Sequence, residues 1–240
     1  MAKMAWKVVK ELMPILAAKT SNKQRGFSLI EILVAMSLMA AVFTLIPFDG
    51  DTTERKNLDE SIGLLDRAVR FSVNEAILRN VIVRIKFKLA TQPVEYSIEY
   101  GNAASIVLPE TIDESRLSLS ERELYDKQQD KFNSQFTPIQ EFTDGLQTLP
   151  EYVELYAVAS SYYPDLITSG EPAIYFYPTG ERDNALLILN TAYEYATYSI
   201  APFEDKTFSD RVDFAEEDLD NLSYVLEQKA SEEYEQWLKE

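Results

Sequence analysis

The chain has 240 residues, 40 Asp and Glu against 23 Lys and Arg, and a formal net charge of −17. That length holds one domain of ordinary size with an anchor and a tail, not two large domains. It contains no cysteine and no histidine, which excludes disulfides, thiol nucleophiles, Ser-His-Asp triads and His/Cys metal sites by inventory.

The charge is unevenly divided. Residues 1–26 carry Lys3, Lys7, Lys10, Lys19, Lys23 and Arg25 against Glu11 alone, a balance of +5 that leaves −22 for the rest. A basic leader thus precedes an acidic body. Phosphate recognition needs a cationic face, so no nucleic-acid partner is expected of the body. The sequence has no Gly-rich phosphate loop and no GxSxG element, so any chemistry would fall to carboxylates, Lys, Tyr or Ser.

After the leader comes KQRGFSLIEILVAMSLMAAVFTLIPFD, residues 23–49, in which residues 30–48 carry Glu31 as their one charge. At ~1.5 Å per residue a helix of that length approaches the ~30 Å hydrocarbon thickness of a bilayer. Basic residues precede it, and Asp49, Asp51 and Glu54 follow it. By the positive-inside bias the leader stays cytoplasmic and the body is exported. A secretory signal peptide fits poorly, because the basic region is long and Asp49-Gly50-Asp51 is a poor exit site. A plain anchor tolerates Glu31 near its end, where a carboxylate costs less than the ~2.5–3.5 kcal/mol of the bilayer centre. It leaves the Gly26-Phe27 junction unexplained.

The pattern Gly26-Phe27-Ser28-Leu29-Ile30-Glu31, with basic residues ahead of it, resembles the class III signal of type IV pilins and type II secretion pseudopilins. The resemblance implies cleavage after Gly26 by a membrane aspartyl prepilin peptidase and N-methylation of Phe27. It also implies that the apolar helix is kept as the core of a filament. Glu31 would then pair with the terminal amine of a neighbouring subunit, since a buried charge is tolerable only when paired. Pro47 matches a kink common in that family. Proline removes one helical hydrogen bond and clashes with the preceding turn, so a plain helix end is the other reading.

The helix is expected to resume beyond Pro47. Leu58, Ile62, Leu65, Val69, Val73 and Ala76 recur at spacings of three and four, with charged residues between them. Such a stripe packs on a core, most simply a sheet. In VIVRIKFKL, residues 81–89, apolar positions alternate with Arg84, Lys86 and Lys88, the two-residue period of a half-buried strand. Thr91-Gln92-Pro93 interrupts, alternation returns over 94–100, and the two runs form a hairpin. Residues 109–150 read as an inserted, exposed excursion, with Ser120 and Glu123 as a capping box ahead of a short helix. Strand signals return at 151–160, 173–177, 185–190 and 193–200, with Pro178-Thr179-Gly180 as a turn. Residues 203–240 hold 13 acidic and 4 basic residues. They read as a solvated acidic tail with a marginal amphipathic helix, a partner-docking helix being the alternative. Glu216, Glu217, Asp218 and Asp220 cluster there without the residue order of a calcium loop.

Two further stretches, RFSVNEAILRN running into VIVRIKFKL and AIYFYPTGERDNALLIL at 173–189, resemble minor pseudopilins of the H type. The 110–150 excursion, the tail and the 26-residue leader depart from that pattern, and Met4 or Met13 is an alternative start. The expected fold is α+β, a long N-terminal helix packed on antiparallel sheets with an acidic helical C-terminal tail. The expected division is a leader (1–26), a transmembrane and filament-core helix (27–48), a periplasmic domain (49–202) and the tail (203–240). What the resemblance implies is a single-pass inner-membrane protein that is a structural, tip-associated subunit of the periplasmic pseudopilus of type II secretion, carrying out no catalysis and needing no cofactor. Its partners would be the prepilin peptidase, other pseudopilins, the secretion assembly platform and the membrane. A minor pilin of a type IV pilus is the alternative, and a membrane-anchored enzyme or sensor a third.

Overall fold

In a computed structural model of the protein, residues 27–45, 50–109, 118–140, 145–204, 207–215 and 217–239 are described. The chain divides into two compact units at Phe48/Asp49. In the first, helix α1 spans Leu29–Leu45. The other elements belong to the second unit, which is mixed α+β.

That unit opens with helix α2, Gly50–Arg79. Its apolar stripe is buried at Leu58, Leu65, Ala68, Val69 and Ala76, and Ile62 and Val73 pack at its margin. Ser61 and Ser72 lie in the same stripe and are fully buried. Ser61 turns its hydroxyl back to the Asn57 carbonyl at 2.7 Å, whereas the Ser72 hydroxyl has no hydrogen-bond partner among the described residues. Asn80 ends the helix at φ 55°, a left-handed stop that asparagine tolerates, and the Val81 N–H donates to the Ala76 carbonyl.

Two antiparallel sheets follow. Sheet A has the order β3-β2-β1-β6, from Phe136–Pro138, Glu95–Gly101, Val83–Lys88 and Ala173–Phe176, and β4 (Gln147–Thr148) also pairs with β2. Sheet B has the order β5-β7-β8-β9, from Glu154–Ser160, Ala185–Asn190, Glu194–Ile200 and Thr207–Asp213. The expected hairpin is β1–β2, in register from Val83 opposite Tyr100 to Lys88 opposite Glu95. Gly180 supplies the positive φ, 87°, that the turn at 178–180 requires.

One core joins α2 to both sheets. Val83, Ile85 and Phe87 of β1, Tyr96 and Ile98 of β2, Leu187 and Leu189 of β7 and Ala196 and Tyr198 of β8 all pack into it with α2. Each sheet then has its own cover on the far face, and here the sequence expectations need correction. The excursion is not simply exposed. Helix α3 (Leu119–Asn133) lays Phe132 on sheet A with Phe136 and Tyr175, and β3 and β4 of the same excursion pair with β2. Its capping box is Ser118 with Glu121, not Ser120 with Glu123. Both pairs satisfy the same four-residue pattern, and the earlier one gives the longer helix.

Nor is the C-terminal segment a solvated tail. It supplies edge strand β9, and helix α4 (Leu222–Trp237) buries Leu226 and Ala230 against Ala157, Ala159, Leu186, Ile188 and Tyr195 of sheet B. Tyr234 and Trp237 stack at its end with centroids 5.9 Å apart. The alternative of a helix docking on a partner is met within the chain itself.

Covering sheet A also buries a charge that alternation had placed toward solvent. Arg84 is 3% exposed. Its Nε and Nη2 donate to Glu99 Oε2 at 2.7 and 2.6 Å, and its Nη1 donates to Asn133 Oδ1 at 2.8 Å. The guanidinium lies 3.8 Å from the centre of the Phe136 ring. Glu99 Oε1 accepts from Ser97 Oγ, so both partners of this buried pair are satisfied.

Candidate functional site

The residues that carry chemistry in the sequence lie at the start of α1. Helix α1 begins after Ser28, and the Ile32 N–H donates to the Ser28 carbonyl at 3.2 Å. The first turn is closed from both sides. The Glu31 N–H donates to Ser28 Oγ at 3.2 Å, and the Ser28 N–H donates to Glu31 Oε2 at 2.9 Å. This reciprocal pair satisfies two of the amide donors that a helix start leaves unpaired. It also sets a carboxylate at the positive end of the helix dipole.

Glu31 is therefore at home in an isolated helix for a local reason. The S-x-x-E spacing at residues 28–31 signals it in the sequence, and the reading of Glu31 as an assembly residue alone passes over it. Phe27 precedes the cap and is 84% exposed. Gly26, on the other side of the expected cut, and Pro47, the expected kink, lie outside the described residues.

Beyond its first turn α1 is apolar on every side. From Phe27 to Val42 every position is exposed, including Leu29, Leu33, Met36 and Met39. Beyond the first turn the one hydroxyl up to Val42, that of Ser37, donates to the Leu33 carbonyl at 2.8 Å and asks nothing of its surroundings. An apolar surface of this extent marks a segment that is covered in its working state, by lipid or by other chains. Among the described residues no helix is both long and apolar enough to cross a membrane. The last three residues of the expected 30–48 span lie outside the described set.

Residues 21–46 match the prokaryotic N-terminal methylation motif. The motif takes in the six residues before Phe27, the capped start of α1 with Glu31, and the rest of that helix. It covers the N-terminal part of the chain and leaves the α+β unit outside. No curated protein matches the chain. Among solved structures, the chain is similar to the minor pseudopilin EpsH from the type 2 secretion system of Vibrio cholerae. Identity is 12%, over 65% of this chain and 95% of that chain, with a TM-score of 0.34.

Among the described residues, the C-terminal carboxylates do not assemble into a metal site. Asp218 accepts the Ala215 N–H at 3.1 Å as part of the turn ahead of α4, and Glu216 lies outside the described residues. Among the described residues no group of three His, Cys, Asp or Glu side chains is arranged to hold a metal ion.

Proposed function

We propose that the chain is a minor pseudopilin of a type II secretion system, a structural subunit of the periplasmic pseudopilus near its tip. The observation that carries this reading is the methylation motif lying on α1, which is capped at its start and apolar beyond its first turn. The prepilin peptidase cuts between Gly26 and Phe27 on the cytoplasmic side and methylates the new amine of Phe27. Before assembly the helix sits in the inner membrane with the acidic body in the periplasm, in keeping with the basic residues ahead of it. The chain works as a building block, and the enzyme in its life is the one that processes it.

Assembly then follows from charge. Cleavage exposes an ammonium beside an oily helix, and Glu31 stands one turn along. In the dry interior of a filament each of these ions needs a partner, so amine and carboxylate of adjoining subunits pair only in the correct axial step. In the free helix the Ser28 N–H holds the carboxylate in place. Pro47 would let the end of the helix bend on packing.

A bulky residue at position 26 tests the processing step. Gly26→Phe is expected to leave the protein at precursor size on immunoblots of cells that carry the peptidase. A product of mature size from that variant contradicts the assignment of the cut. Type IV pilins share the motif, so the system is separated by deletion. Loss of exported folded proteins with pili intact fits the pseudopilus, whereas loss of pili alone fits the minor-pilin alternative.

A further inference from the structure

The face of sheet A turned away from α2 carries an open cleft of about 720 Å³, lined by α3, β1 and the loop at 162–172. One wall is a run of rings. Phe132 and Tyr175 lie 6.5 Å apart, Tyr175 and Tyr162 5.6 Å, and Tyr162 and Tyr163 4.9 Å, the last two pairs edge to face. The other wall is one face of α3, where Tyr125, Gln129 and Asn133 follow at intervals of four and are half-buried.

The two cations of the cleft are already matched, and Asp165, its one carboxylate without an ion pair among the described residues, is exposed on the loop. Arg84 is closed by Glu99 and Asn133, and Lys86 pairs with Glu171. An anionic ligand would have to break one of these pairs, at a high cost where the pair is buried, and a cation would find only the exposed Asp165, where a solvated pair returns little. The amides are in the opposite condition. The Gln129 side chain makes no hydrogen bond to another described residue, and Asn133 gives its oxygen to Arg84 while keeping both N–H donors. A purely apolar ligand would cover these amides and leave them unpaired, which is costly.

What satisfies both walls is a molecule with apolar faces and uncharged donor–acceptor edges, and a pyranose ring has that form. We propose that the cleft between α3 and the 162–172 loop binds an uncharged glycan chain, its C–H faces on the partly exposed rings of Tyr125, Tyr162 and Tyr163 and its hydroxyls or acetamides on Gln129 and Asn133. N-acetylhexosamine polymers and neutral hexose polymers share this chemistry.

The test is titration calorimetry of the full chain in phosphocholine micelles, chosen because their headgroups carry no sugar. The probes are N-acetylglucosamine hexamer, cellohexaose, maltohexaose and, as the charged contrast, hexalysine. Saturable binding of a glycan is expected, and which one binds identifies the source. Tyr125→Ala and Gln129→Ala are each expected to weaken it at least tenfold, with melting curves showing the fold intact. Tyr224→Ala, at an exposed position on α4, is expected to leave it unchanged. Absence of binding by all three glycans at millimolar concentration overturns the proposal. So does binding that survives both α3 substitutions, or binding of hexalysine alone.

Discussion

At the level of single residues, Glu31 has one observed role and one proposed role, and substitutions can separate them. Its carboxylate caps its own helix through Ser28, and in the proposed filament it neutralises the amine of a neighbour. Glutamine at the third helical position still completes a capping box, so Glu31→Gln keeps the local bond and removes only the charge. Ser28→Ala does the reverse and costs the helix start about 1 kcal/mol. The pairing argument therefore expects Glu31→Gln to be processed normally yet depleted from sheared or pulled-down filaments, with Ser28→Ala close to wild type. Equal incorporation of both variants would reduce Glu31 to a cap. Asp183 offers a pH test of the second unit. Burial pushes its carboxyl up to about 6, while the Tyr175 N–H and the Tyr177 hydroxyl, at 3.0 and 3.2 Å, pull the other way. The folded pKa lies above the unfolded value of 3.8, so the favourable contribution is complete below about 4 and is lost as pH rises through about 6. In urea melts, the stability of wild type relative to Asp183→Asn should rise by up to ~3 kcal/mol between pH 7 and pH 4. A pH-independent difference would show that burial does not govern this carboxyl.

At the level of elements, α4 belongs to the folded body. Leu226 is 3% exposed between α4 and sheet B, so Leu226→Ala should cost about 2–5 kcal/mol in chemical denaturation. Tyr224, 61% exposed on the same helix, should tolerate alanine within about 0.5 kcal/mol. A cost at Leu226 no larger than at Tyr224 would restore the picture of a marginal tail. The sequence contained a sign of this docking. Ala185 to Leu189 form an unbroken apolar run rather than an alternating one, and every residue of β7 is buried. A strand wet on one face does not need that composition. By contrast, the α2 stripe, the β1–β2 hairpin and the turn at Gly180 were readable because each depends on residues close in sequence. The Arg84 pair was not. Glu99 is its neighbour across the hairpin, but the lid that excludes water, Phe132, Asn133 and Phe136, comes some fifty residues later. Local alternation carries no record of a cover supplied from that distance. The same limit explains the cleft beside α3, whose two walls are joined only by the fold.

On the scale of the whole molecule, the two units divide the work. The second unit buries its apolar residues against itself, with α2 shared by two sheets and a separate helix on the far face of each. In the first, α1 leaves its apolar surface uncovered from Phe27 to Val42, so its stable state requires material from outside the chain. The capped start can be read from residues 28–31 alone. The use to which the helix is put cannot, because its partners are other molecules. In the proposed function, processing is the event that commits the helix to a filament, since it creates the amine with which Glu31 would pair. The most direct measurement is therefore mass spectrometry of the N-terminal peptide of protein purified from cells containing the peptidase. The account predicts that the peptide begins at Phe27 and carries one methyl group on its amine. A native protein that retains residues 1–26, or that begins at an unmodified residue other than Phe27, would contradict it.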